Sequence, residues 1–104
     1  MKLLNAFSFN MIAVFPTAIV AKEISLDEAK AILVAGFESA VGHADTAAVF
    51  GTELGVEVLA VRATVSLQKG EQALVGQYKG PRLPEGCKTL PEGATIQWLL
   101  ISVE

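Results

Sequence analysis

The sequence predicts an α+β domain: a single mixed five-stranded sheet with helices packed mainly on one face, with an apolar face expected to be buried in an oligomer. Three observations lead there. Short apolar segments of strand character recur along the chain, separated by Gly, Pro and Asn. Two other stretches space their apolar residues as helices do. Finally, 52% of the residues are hydrophobic and only 18% are charged, with a mean hydropathy of +0.49. A small monomer covers so much apolar surface with difficulty, which favours an apolar face buried between subunits.

Each element follows in order. Residues 2–7 (KLLNAF) read as a buried strand ending at the turn residues Ser8 and Asn10. Residues 17–23 (TAIVAKE) alternate as a second strand after Pro16. Ser25, with Glu28 three residues on, forms a capping box. Leu26, Ala29, Ile32, Leu33 and Gly36 continue at helical spacing and predict a helix over 26–36. GHADT, residues 42–46, opens a second helix over 44–54. Its inward positions are Ala47, Ala48, Phe50 and Leu54, and Gly55 is its stop. Residues 61–68 (VRATVSLQ) and 72–79 (QALVGQYK) predict a hairpin through Lys69-Gly70-Glu71. After a Pro/Gly loop over 80–93, ATIQWLLISV closes the chain as a central strand, with Trp98 in the core. Helices on one face would leave the other face, or an edge, for a partner subunit.

The chain of 104 residues is one domain, 1–104, able to bury roughly 60–70% of its unfolded surface. Its net charge of −3 lacks the broad basic footprint of a duplex-binding protein. A small anionic ligand needs only a few local cations and a helix start. One cysteine, Cys87, allows no internal disulfide and fits a reducing cytoplasm. The apolar N-terminus superficially resembles a signal peptide, but Asn5, Ser8, Asn10 and Pro16 interrupt it. Its apolar runs fall short of the ~20 residues a membrane helix needs, so no membrane partner is expected. A lone histidine and a lone cysteine argue against a zinc site, and neither common phosphate-loop pattern is present.

A few polar residues stand out as candidates for chemistry. His43, the only histidine, sits at a predicted helix start, where anions gather. It is either a loop-bonded helix-start residue or a general acid or base. Arg82 is one of two arginines, and Pro81 and Pro84 stiffen the loop around it. A rigidly placed guanidinium suits phosphate or carboxylate recognition, although a solvated surface arginine has the same sequence. Glu85, three residues on, is either its local ion-pair partner or an acid poised beside a cation. Asn5, Ser8 and Asn10 either satisfy turn backbone or donate to a ligand. Gln77 either hydrogen-bonds in the core or lines a pocket, and Arg62, at the start of a predicted strand, reads as an edge-strand charge.

Three segments taken together, LLNAFSFNM (3–11), GHADTAAVFG (42–51) and YKGPRLPEG (78–86), resemble a known family. It comprises small viral and prokaryotic proteins first described as a domain of unknown function in archaeal viruses. Its members act as type III anti-CRISPR ring nucleases. The resemblance runs over essentially the whole chain and rests on the order and spacing of the segments. It implies a compact α+β homodimer that binds cyclic tetra-adenylate across its interface. It also implies cleavage, without metal or cofactor, to linear di-adenylate with a 2′,3′-cyclic phosphate. His43 would then be the general acid, Arg82 would bind the scissile phosphate, and Glu85 would assist. Asn5, Ser8, Asn10, Arg62 and Gln77 would contact the ligand. The competing readings are a protein that sequesters a cyclic nucleotide without cutting it, and an apolar interaction module.

The tetrapeptide LPEG occurs twice, at 83–86 and 90–93. Only the first copy has an arginine directly before it. This predicts one loop that carries functional groups and one turn that delivers the last strand.

Overall fold

The computed structural model describes all 104 residues and is the expected α+β domain with a single mixed five-stranded sheet. The strands are β1 (Lys2–Leu4), β2 (Ile19–Ile24), β3 (Glu38–Ala40), β4 (Gln72–Lys79) and β5 (Thr95–Val103), in the order β2-β5-β4-β1-β3. β5 runs antiparallel to both β2 and β4, while β1 is parallel to both β3 and β4. The helices are α1 (Leu26–Leu33) and α2 (Ala44–Leu54).

The local signals explain most boundaries. Ser25 Oγ accepts the Glu28 N–H and a Glu28 carboxylate oxygen accepts the Ser25 N–H, each at 3.1 Å. The capping box is therefore closed in both directions. α2 ends at Gly55 in the left-handed conformation, φ +71°, which costs glycine nothing. β5 lies between β2 and β4, as its apolar run requires.

The boundaries of four elements and the place of one strand differ from the expectation. β1 stops at Leu4 rather than residue 7, because Asn5 turns its side chain to the backbone of Gly42. β2 is shifted to Ile19–Ile24, and β5 begins at Thr95, after the turn that Ala94 closes onto Pro91. α1 stops at Leu33, and Gly36 turns the chain with φ +103°. Residues 61–68 are not a sheet strand. Lys69 and Gly70 do form a turn, but β4 already has β5 on one side and β1 on the other. No edge of β4 is open to a hairpin partner. Residues 61–68 instead cross the sheet face opposite the helices, where Leu67 exchanges backbone hydrogen bonds with Met11 and Ala13. The fifth strand is β3, three residues that pair with β1 and carry no alternating pattern of their own.

Two cores result. On the helix side, Leu3, Leu74 and Trp98 of the sheet pack against Ala29, Leu33 and Phe50 of the helices. On the other side, Leu4, Val75 and Ile101 meet Ile12, Val65 and Leu67. The alternation of residues 61–68 is thus genuine: it buries Val65 and Leu67 in a segment that covers the sheet. The second face is consequently not bare, as the five-strand reading expected. No helix is long and apolar enough to cross a membrane.

A close approach holds α2 to the sheet. Gly76 lies under Phe50 and Trp98, whose ring centroids are 5.2 Å apart. A Cβ at Gly76 would stand 2.6 Å from Phe50 Cζ and 2.7 Å from Trp98 Cζ3. Gly76→Ala is expected to destabilise the domain by about 1–3 kcal/mol in denaturant unfolding, because neither buried ring has room to retreat. The capping box gives a second test. Hydrogen bonds from the Ser25 backbone first, and its side chain second, hold the Glu28 carboxyl below its ordinary value. A depressed carboxyl stabilises the fold above its unfolded value and ceases to do so as pH falls through its folded value. Glu28→Gln should therefore be less stable than wild type at neutral pH, and the difference should close in the acid range.

Candidate functional site

The α2 N-terminus and the loop after β4 meet in one open cleft of about 830 Å³. His43, Asp45 and Thr46 line it from the start of α2, and Tyr78, Gly80, Arg82, Leu83, Pro84 and Glu85 from the end of β4 and its loop. The groups that the sequence singled out for chemistry, His43, Arg82 and Glu85, thus share one cavity although His43 and Arg82 are 39 positions apart in the chain.

His43 is the N-cap of α2, yet its side chain makes no capping hydrogen bond and is exposed. Ser, Thr, Asp or Asn is the usual residue there, because its side chain satisfies a free backbone N–H. The imidazole leaves those donors unclaimed and lines the cleft instead. An unfilled helix start combined with a nearby guanidinium favours an anion. Arg82 and Glu85 are both exposed in the loop, with their side chains open to a ligand.

The loop is held at several points. Tyr78 donates its hydroxyl to the Pro81 carbonyl at 2.5 Å. Cys87 N–H returns to the Pro84 carbonyl at 3.0 Å, with Gly86 at φ +79° inside the turn. Ala94 N–H returns to Pro91 in the same way, with Gly93 at φ +80°. The two LPEG copies are therefore the same turn, and the positive φ explains the glycine in each. Gly80 permits a different closeness: a Cβ there would lie 2.6 Å from that of Ala94 and 2.9 Å from the Tyr78 hydroxyl. α2 also reaches across to this loop. Asp45 Oδ1 accepts the Gly86 N–H at 3.1 Å, and Thr52 donates to the Lys88 carbonyl at 2.5 Å. Cys87 lies outside the cleft lining, half-buried, with its sulfur 3.0 Å from the Thr89 carbonyl.

The residues expected to contact a ligand are placed differently. Asn5 and Arg62 both hold Gly42, directly before His43. Asn5 Oδ1 accepts the Gly42 N–H at 3.3 Å, and Arg62 Nε donates to the Gly42 carbonyl at 3.3 Å. Ser8 caps the 3-10 turn Phe9–Met11 by accepting the Asn10 N–H at 3.3 Å. Gln77 points to the sheet face opposite Gly76 and donates to Gln97, which donates to Glu23. Within a single chain, none of the five lines the cleft. Asp45 and Thr46 carry no sequence signal for chemistry of their own, although both stand in the GHADT segment within one helical turn of His43. Tyr78 carries a strand-alternation signal: it lies on the helix side, as Gly76 does. No group of three or more His, Cys, Asp and Glu side chains converges as a metal site.

Residues 1–96 match the family described as STIV B116-like. The chain belongs to that family. Among solved structures, it is similar to B116 of Sulfolobus turreted icosahedral virus. The two are 27% identical, with a TM-score of 0.82, and the match covers 97% of each chain. No curated protein matches the sequence. In this STIV B116-like chain, the match includes β1, α2 and the first LPEG loop, so every element of the cleft lies within it.

The brace on Gly42 can be tested directly. Asn5→Ala removes one acceptor, and the Gly42 amide is expected to exchange roughly 2- to 10-fold faster with solvent deuterium. Amides of the α2 interior should keep their wild-type rates.

Proposed function

We propose that this STIV B116-like protein is a metal-independent ring nuclease that opens cyclic tetra-adenylate and so ends type III CRISPR signalling. The observation that carries this reading is the convergence of His43, Arg82 and Glu85 on one open cleft at an uncapped helix start. A proton donor, a phosphate-binding cation and a carboxylate are the groups that cleavage by an internal nucleophile requires.

In this reading a ribose 2′-hydroxyl attacks the adjacent phosphorus in line with the departing 5′-oxygen. The P–O2′ bond forms and the P–O5′ bond breaks, leaving a 2′,3′-cyclic phosphate. His43 gives its proton to the 5′-oxygen. Arg82, with the α2 N-terminus, neutralises charge on the phosphorane. Glu85 accepts the 2′-proton or orients the hydroxyl. Two such events convert the ring to two linear di-adenylates. The ligand spans two copies of the chain, and Asn5, Ser8, Asn10, Arg62 and Gln77 belong to its binding surface in that pair.

The decisive experiment incubates the protein with radiolabelled cyclic tetra-adenylate in EDTA, beside His43→Ala. Wild type is expected to release the cyclic-phosphate dinucleotide. His43→Ala should bind the ring but cleave it about 10²- to 10⁴-fold more slowly, the usual contribution of one general acid. Binding without cleavage by wild type would indicate sequestration, and no binding at all would leave an interaction module.

A further inference from the structure

The cleft contains a carboxylate that the proposed chemistry does not use. Asp45 stands in the first turn of α2, two residues after His43, and lines the same cavity. A negative charge beside a phosphate site is unfavourable in itself. A structural task accounts for its presence there. Asp45 Oδ1 accepts the Gly86 N–H at 3.1 Å, and Gly86 follows Glu85 directly.

This bond falls at a particular place in the loop. Tyr78 holds the start through the Pro81 carbonyl, and the Pro84–Cys87 turn shapes the end. Both contacts are internal to the strand and loop. They define the shape of residues 80–87 but not where that shape stands relative to α2. Asp45 supplies the missing reference at the cleft end, and Thr52 does so farther along, at Lys88. The second LPEG copy makes a useful comparison. It forms the same turn through Ala94 and Pro91. Of the two turn glycines, only Gly86 donates to a carboxylate from another element. Asp45 is therefore tied to the copy that carries Arg82 and Glu85.

We infer that Asp45 is a positioning residue: its carboxylate ties the Glu85–Gly86 peptide to the helix that presents His43, and so sets Arg82 and Glu85 against the phosphate that His43 serves. This rests on the ring-nuclease reading above. It concerns alignment rather than affinity, because the bond fixes backbone and Asp45 itself adds only repulsion toward a polyanion.

The test compares wild type, Asp45→Ala and Asp45→Asn with cyclic tetra-adenylate, by single-turnover cleavage, equilibrium binding and hydrogen exchange at Gly86. Asp45→Ala should lower the cleavage rate by roughly 10- to 100-fold, as expected for a loop displaced by an ångström or less. Its affinity for the ring should be undiminished, and its Gly86 amide should exchange faster. Asp45→Asn keeps an acceptor in place and should restore both the rate and the Gly86 protection. Having lost the charge, it should also bind the ring up to about five-fold more tightly. If Asp45→Ala does not fold, Asp45→Ser, with its shorter acceptor, takes its place. Cleavage by the alanine or serine variant at the wild-type rate would overturn the inference while leaving the nuclease reading intact. An asparagine variant as slow as the alanine variant would do the same. A wild-type protein that does not cleave would overturn both.

Discussion

The seating of Phe50 over Gly76 is the contact from which the geometry of the cleft follows. Phe50 is fully buried, and the missing side chain at Gly76 lets its ring settle on β4 against Trp98. From that point the chain departs twice toward the same end of the molecule. Seven residues back along α2 is His43, about 10 Å away at helical rise. Four residues forward along β4 is Gly80, about 13 Å away at strand rise. The two lengths are comparable, so the helix start and the loop arrive side by side. A helix anchored elsewhere on the sheet would deliver the same residues to different places.

The rest of the site is organised by backbone tethers rather than by contacts between functional side chains. Asn5 and Arg62 hold Gly42 before the histidine, and Asp45 holds Gly86 after the glutamate. Tyr78 secures the loop that carries Arg82. His43, Arg82 and Glu85 remain exposed, with backbone support beneath them. Such an arrangement would suit the proposed reaction, whose nucleophile belongs to the substrate and which asks the protein mainly to hold a proton donor and a cation at set positions.

The sheet order has a similar effect on the opposite face. Parallel pairing of β1 with β4 fills the edge that a hairpin from residues 61–68 would need. Those residues then use their alternating pattern to bury Val65 and Leu67 over Leu4, Val75 and Ile101. The same excursion brings Arg62 to the carbonyl of Gly42, on the path to the cleft.

Local chemistry was enough to determine a good part of this protein. The Ser25–Glu28 capping box, the Gly55 stop, β4, the closing apolar strand and both LPEG turns are short-range features. Each depends on residues a few positions apart, and all are present as read except that the closing strand starts one residue later, at Thr95. The grouping of His43 with Arg82 and Glu85 was legible only through family resemblance, since no spacing rule joins a helix start to a distant loop. Tertiary structure decided what depended on competition for partners. β3 is too short to announce itself, and it exists because β1 offers a free edge. Residues 61–68 have the pattern of a strand but lie across the sheet, because β4 has no edge left for them. Asn5 and Arg62 serve Gly42, and Asp45 serves Gly86, because folding brings unpaired backbone groups within reach of those side chains. A period of two states that a segment is extended, but which backbone it meets depends on which edges the rest of the chain has already occupied.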